Sequence, residues 1–545
     1  MNRRAPSRRL PWSAAPPVAV RELSVVPRRP DGAVDLDTCL AALAPALLLE
    51  SGDGEGWSYV VPTDGPVLRD DGRSTVLHAG GHRRALGPDP FAALDQVCGA
   101  LGLRPGPEAE GDGPPFTGGL VGAFAYDLGH RIEVIGSRAG RDRAHPDLVL
   151  WLAEHVLAIA PDGQHAVLVG RAFDLAGLVV DPATPSATPA ATPAATPAAT
   201  PAASPRAAVR AGADRWDARA RELAARLARA RPEAAPRAAR PAPQPVATSL
   251  PADRYLAAVA ALLTRIAAGD VFQVNLTQRL TARWDGDAPA LYRALRAESR
   301  AAFGACLPTL GIASVSPETF LAVAGRTVTT RPIKGTRPRA GDPALDAALA
   351  DDLATAVKDR AENVMVVDLE RNDLGRVCVP GSVEVPQLTA VEGHPTVWHL
   401  VSTVRGALRP DVGYGDLLRA TFPCGSITGA PKVAAMRLID TLEPVRRGWY
   451  CGAVGFLSVG AASLSVAIRT ATLQPGGTVD YGAGGGIVAD SDPHAELAES
   501  LDKAVPFLRA VEATGVGPGP VTPAPSEGRT VRSRGGPARD RQEVR

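Results

Sequence analysis

The 545-residue sequence has no excess of charge of either sign, with 59 Lys and Arg facing 58 Asp and Glu for a net charge of +1. That balance removes the global field that a nucleic-acid or anionic-membrane partner would require, so a charged ligand has to be held locally. Cysteine is scarce. Cys39, Cys98, Cys306, Cys378, Cys424 and Cys451 include no CxxC pair, which argues against a zinc site and against a disulfide framework and fits a reducing cytoplasm. No run of about 18 apolar residues occurs, so a spanning helix is not supported. The basic start, Met1 to Arg9, is followed by Pro11, Pro16 and Pro17 rather than by an apolar run, and makes a poor signal peptide.

What is present has a clear order along the chain. The length allows two or three ordinary domains or one large sheet-rich body. Between Pro182 and Pro205 the sequence repeats Ala-Thr-Pro-Ala, which buries little apolar surface and which proline keeps extended. Asp214 to Arg231, rich in Ala, Arg and Leu, reads as a charged surface helix before another proline-rich stretch ends it. These shifts give five parts: 1–17, expected to be disordered; an amino-terminal region, 18–181; an Ala/Pro/Thr-rich linker insertion, 182–247; a carboxy-terminal region, 248–511; and a Gly, Pro, Ser and Arg tail, 512–545, also expected to be disordered.

The candidate chemistry lies in 248–511. Tyr255, Val259, Leu262, Leu263 and Ile266 form one apolar stripe at helical spacing, with Ser249 and Pro251 suited to its start and Gly269-Asp270 to its end. Phe272, Val274 and Leu276 then alternate with Gln273, Asn275 and Thr277, as in a strand with an apolar and a polar face. Asp359 and Glu362, and later Glu496 and Glu499, are acidic pairs three residues apart, each sharing one helix face. Taken alone, such a pair is a solvated surface. If the two faces meet, only a hard divalent cation or another bound positive charge makes the convergence tolerable, and oxygen-only ligation suits magnesium (Mg2+).

Four segments stand together with these pairs: Arg331-Pro332-Ile333-Lys334-Gly335-Thr336, Glu362 to Leu369, Gly425-Ser426-Ile427-Thr428-Gly429-Ala430-Pro431-Lys432, and Gly482-Ala483-Gly484-Gly485-Gly486 running on to Ser491. They resemble the chorismate-utilising enzymes. Phe116 to Asp127, with its Gly-Gly…Tyr-Asp pattern, is similar to the amino-terminal half of the same family, so the resemblance covers most of the chain. It implies an α+β fold of packed antiparallel sheets with helices outside, in which 18–181 and 248–511 build one intertwined body. Within the family, Lys334 resembles the aminodeoxychorismate synthase component I branch, whereas anthranilate synthases usually carry Ala there.

The resemblance implies the following roles. Glu362 and Glu499 hold magnesium, supported by Asp359 and Glu496. Arg469, at the end of a strand-like run, grips the enolpyruvyl carboxylate of chorismate with help from Tyr450; a guanidinium suits this because it donates two parallel hydrogen bonds. Gln273, Gly335, Thr336, Ser426 and Gly485 bind substrate, the glycine-rich segment reading as a loop whose amides approach an anion. Lys503 balances local negative charge or faces water. Glu318 is the acid that helps the ring hydroxyl leave, with burial raising its pKa, and His399 hydrogen-bonds or protonates that hydroxyl. Isochorismate and salicylate synthases carry a lysine where this chain has Gln273, and an amide cannot activate water as a base.

Lys334 is then a nucleophile toward ring C2. Its amine, with an ordinary pKa of about 10.4, has to lose a proton, which magnesium and Arg331 would assist. None of the six cysteines stands in a nucleophile-elbow setting with a Cys-His-Glu companion set, so ammonia would come from a separate glutamine amidotransferase subunit. Leu47-Leu48-Leu49-Glu50-Ser51 is similar to the family's tryptophan-site segment and implies a tryptophan site in the amino-terminal region. The alternatives are an anthranilate or aminodeoxyisochorismate synthase, or a catalytically silent amino-acid-binding relative.

Overall fold

The computed structural model describes residues 16–23, 25–107, 113–136, 138–175, 178, 205–231 and 244–518. The Ala-Thr-Pro-Ala repeat, most of 1–17 and all of 519–545 lie outside the described residues.

Apolar residues on both faces of a strand require cover on both sides, and Leu148–Ala153 shows how the fold provides it. Val149, Trp151 and Ala153 enter the core between two sheets. Leu148, Leu150 and Leu152 enter a second core beneath the outer helices, which include Pro90–Leu101 and Tyr414–Thr421. Ser58–Pro62 does the same from the opposite sheet, with Tyr59 and Val61 facing inward and Val60 facing outward. The result is an α+β architecture of two packed sheets, of thirteen and twelve described strands, with helices on the outside.

Each sheet joins strands from the two halves of the chain. Ala46–Ser51 pairs with Phe303–Leu307 in one, placing Leu48 opposite Cys306. Gly119–Phe124 pairs with Ala453–Ser458 in the other, placing Gly122 opposite Gly455. Among the described strands every ladder but one is antiparallel. The exception joins Gln244–Thr248 to Ala513–Pro518, segments that composition assigns to the linker and the tail.

The helix expected from Asp214 spans Pro205–Arg229. One side of it is core: Trp216, Ala220, Leu223 and Leu227 are at most 3% exposed, and their spacing of four, three and four residues makes a single stripe against the outer face of the larger sheet. The helix Ala252–Ala267 buries Tyr255, Ala258, Val259 and Leu262 against Val274 and Leu276 of the following strand. That strand begins at Gln273, so Phe272 does not join the apolar face and stays 68% exposed. Among the described residues, no helix is long and apolar enough to cross a membrane.

Candidate active site

Packing these elements leaves a cavity of about 700 Å³ with walls from both sheets. Asn275 and Thr277 reach it from the strand Gln273–Arg283, and Lys334, Gly335 and Thr336 from Ile333–Pro338. Asp359 and Glu362 come from the helix Val357–Gly375, Glu499 from the helix Pro493–Asp502, and Lys503 from just beyond it. Glu318, His399, Ser426, Tyr450 and Arg469 complete the set.

The Lys334 side chain points inward, its Nζ donating to the Ser426 carbonyl at 3.2 Å. The same carbonyl accepts from Asn275 Nδ2 at 2.7 Å. Gly335 has φ of +82°, and a β carbon there would lie 2.8 Å from Leu353 Cδ1 and 2.9 Å from Asp359 Cγ, so the bend after the lysine needs glycine. Glu318 is 4% exposed. Burial pushes its carboxyl up, against the opposing influence of the Ser426 side chain, the Lys334 ammonium and the Ile333 amide. This is a carboxyl that keeps its proton to a higher pH than one in water, beside an amine.

Across the cavity, burial also pushes the Glu362 carboxyl up, with Lys334 and Lys358 working against it. Burial is the largest influence on Glu499 as well, but Lys503, Lys358 and Lys334 together leave its carboxyl below the ordinary range. Lys503 Nζ bonds Glu499 Oε1 at 2.7 Å and the Gly484 carbonyl at 3.0 Å, so of its two expected roles it takes charge balance. Glu496 is buried, bonded by Ser491 Oγ at 2.6 Å and by Lys358 Nζ at 3.2 Å. Gly485 lies beneath this group, where a β carbon would stand 3.3 Å from Glu496 and 3.5 Å from Glu499. The donors are all carboxylate oxygens, as magnesium requires. Among the described residues no three acidic, histidine or cysteine side chains cluster tightly enough to hold an ion unaided. With carboxylate oxygens alone, Glu362 and Glu499 suit an ion that takes one or two carboxylates and completes its shell from substrate and water.

Several expectations need correction. The glycine-rich segment is not a loop: Gly482 to Gly486 form part of the strand Thr478–Ile487, paired along one side with Gln273–Arg283, and Gly482, Gly484 and Gly486 line the cavity. The missing side chains also allow close packing, since a β carbon on Gly482 would stand 2.2 Å from the Tyr450 ring. Gln273 is buried at 1% exposure, and its amide is pressed against Gly486 rather than lining the cavity. Arg331 is bonded to Glu392 at 2.6 Å and is not among the cavity walls. Asp359 pairs with Arg337 at 3.2 Å. Arg469 stands just past the end of its strand-like run. It sits between Ala461–Val466 and Thr470–Gln474 with φ of +51°, its Nη1 donating to the Lys503 carbonyl at 2.9 Å.

His399 contacts Thr336 Oγ1 through Nδ1 at 3.0 Å. Burial, with His394 and Arg469 nearby, lowers its pKa to about 4, so the ring is neutral near pH 7. In the segment Leu47 to Ser51, Glu50 is held by the Tyr292 hydroxyl at 2.5 Å and Arg296 at 2.9 Å, and Ser51 bonds Asp53 at 2.8 Å. None of that segment lines the cavity. Sequence reasoning passed over Lys358, although its i, i+4 spacing to Glu362 was a visible signal. It also missed the buried pair Arg447–Glu443, at 2.7 Å, which holds the Ile427 carbonyl and the Thr277 amide in place.

Two interleaved sheets enclosing an amine, paired carboxylates and an arginine in one cavity give the chain the build of an enzyme that acts on a small polar molecule. The chain belongs to the chorismate binding enzyme family, whose profile matches residues 45–509. It is 37% identical to aminodeoxychorismate synthase component 1 of Salmonella typhimurium, over 89% of this chain and 97% of that one. It is 35% identical to anthranilate synthase component 1 of Streptomyces coelicolor, over 92% of each. Among solved structures, anthranilate synthase component I of Streptococcus pneumoniae is similar with a TM-score of 0.62 and 28% identity, covering 82% of this chain and 91% of that one.

Proposed function

We propose that the chain is the chorismate-aminating component of an aminodeoxychorismate synthase, converting chorismate and ammonia to 4-amino-4-deoxychorismate on the way to 4-aminobenzoate. Overall identity separates poorly between the two branches, at 37% and 35%. The observation that carries the reading is the Lys334 amine projecting into the cavity that Glu318, Glu362 and Glu499 share.

Glu362 and Glu499 would hold a magnesium ion, which would supply positive charge against one substrate carboxylate. Arg469, beside Tyr450, takes the other. Once Lys334 has given its ammonium proton to water, the neutral Nζ forms a bond to ring C2, the ring double bonds shift, and the C4–O bond breaks with a proton from Glu318, releasing water. Ammonia then bonds to C4, the double bonds shift back, and the bond from C2 to Lys334 Nζ breaks to return the amine. The Glu318 carboxylate takes the proton that the new ammonium sheds. Neutral His399 contributes a hydrogen bond and not a proton. Ammonia comes from a separate glutamine amidotransferase component, in keeping with the "component 1" in the names of the relatives.

Mass spectrometry of the products from chorismate, ammonium and magnesium tests this. The parent is expected to give the 4-amino product and Lys334→Ala to lose it. Anthranilate from the parent would overturn the reading and place the chain with the anthranilate synthases.

A further inference from the structure

Lys358 is a cation that the mechanism does not use, and its position is not explained by the helix that carries it. It lies in the first turn of Val357–Gly375, where the helix dipole disfavours positive charge and where no side chain caps the free amides. What holds it is the acidic group. Its Nζ bonds Glu496 Oε1 at 3.2 Å and lies 4.0 Å from Glu362 Oε1. Glu496 is only 2% exposed, and a buried carboxylate left without a counter-charge is costly. Lys358 itself is 45% exposed, so its long stem can carry the ammonium into water without crossing packed core.

We propose that Lys358 is a resident counter-cation that competes with magnesium for the carboxylates of Glu362 and Glu496, and so sets how weakly this chain holds the metal. The inference rests on the metal reading of Glu362 and Glu499 above. A divalent ion on Glu362 and the Lys358 ammonium draw on the same negative charge and repel each other, so binding one loosens the other. Lys358 thereby keeps the acidic faces together and makes the metal exchangeable. It is a positioning residue that sets affinity and touches no reacting atom.

The test is calorimetric titration of the full chain with magnesium chloride alone, without chorismate, for the parent, Lys358→Met, Lys358→Gln and Lys358→Arg. Loss of one charge-assisted bond that opposes the metal is expected to tighten magnesium binding by about tenfold in the Met and Gln variants, while Arg behaves as the parent. The melting temperature in magnesium-free buffer should fall in the same two variants. Magnesium affinity unchanged or weakened in both would overturn the proposal while leaving the metal site standing. Should the parent, the Lys358 variants and Glu499→Gln all fail to bind magnesium, the metal reading itself falls, and this inference with it.

Discussion

Lys334 and Glu318 divide the work through their surroundings. The lysine reaches its place because Gly335 permits a left-handed bend and the Ser426 carbonyl accepts its ammonium. The glutamate is held in a site where burial outweighs the cations around it, so it keeps a proton to a higher pH than a carboxyl in water does. A group acting as an acid with a raised pKa is competent below that value and loses competence as pH rises through it. Replacing Glu318 with Gln is therefore expected to lower kcat by about 10²- to 10⁴-fold. It should also remove the fall in rate on the alkaline side of the parent's pH profile, and an alkaline limb unchanged in the variant would assign that limb to another group. His399 is not a candidate for it, since its lowered pKa of about 4 leaves it uncharged throughout this range.

At the scale of elements, the helix Val357–Gly375 does two jobs along its length. Its first turns bring Lys358, Asp359 and Glu362 to the cavity. Its later turns pin the Cys424–Ser426 turn from behind, with Glu370 accepting the Gly425 amide at 2.9 Å and the Cys424 thiol at 3.4 Å. Burial, reinforced by Asp373, pushes the Glu370 carboxyl up, against the pull of Lys432. Between the ordinary carboxyl range and this raised value the folded chain holds a proton that the unfolded chain has released, so stability falls as pH rises through that window. Glu370→Gln keeps an acceptor for Gly425 and removes the ionisation. Denaturant unfolding should find it more stable than the parent by about 1 kcal/mol at pH 8 and little different at pH 5. Destabilisation greater at pH 8 than at pH 5 would show that the charge is favourable where it stands.

The whole molecule depends on one core shared by both halves of the chain. Phe456 stacks on Phe116 at 4.4 Å and meets Tyr59 edge-on at 5.6 Å, so a strand of the carboxy-terminal region is packed on residues of the amino-terminal one. Phe456→Ala is expected to cost about 3–5 kcal/mol by leaving a cavity between the sheets. Because both halves lose contacts, thermal unfolding should shift as one transition. Two separated transitions would show that the halves are independent domains.

The sequence by itself determined the chemistry that was available. An amine in a short polar segment, two acidic pairs at helical spacing, a run of glycines and an alternating strand are local features, and local periodicity and family likeness reach them. The family likeness also carried the fold class, and the structure gives its physical reason: apolar residues on both faces of strands such as Leu148–Ala153 demand layers above and below. Only the tertiary structure decided the pairings. Arg331 is spent on Glu392, Asp359 on Arg337, and Lys358 on Glu496, and the glycines form a strand packed against Tyr450 rather than a loop. These outcomes depend on distances between residues remote in the chain and on how far burial removes each charge from water, and neither quantity is written in the spacing of residues along a strand or helix.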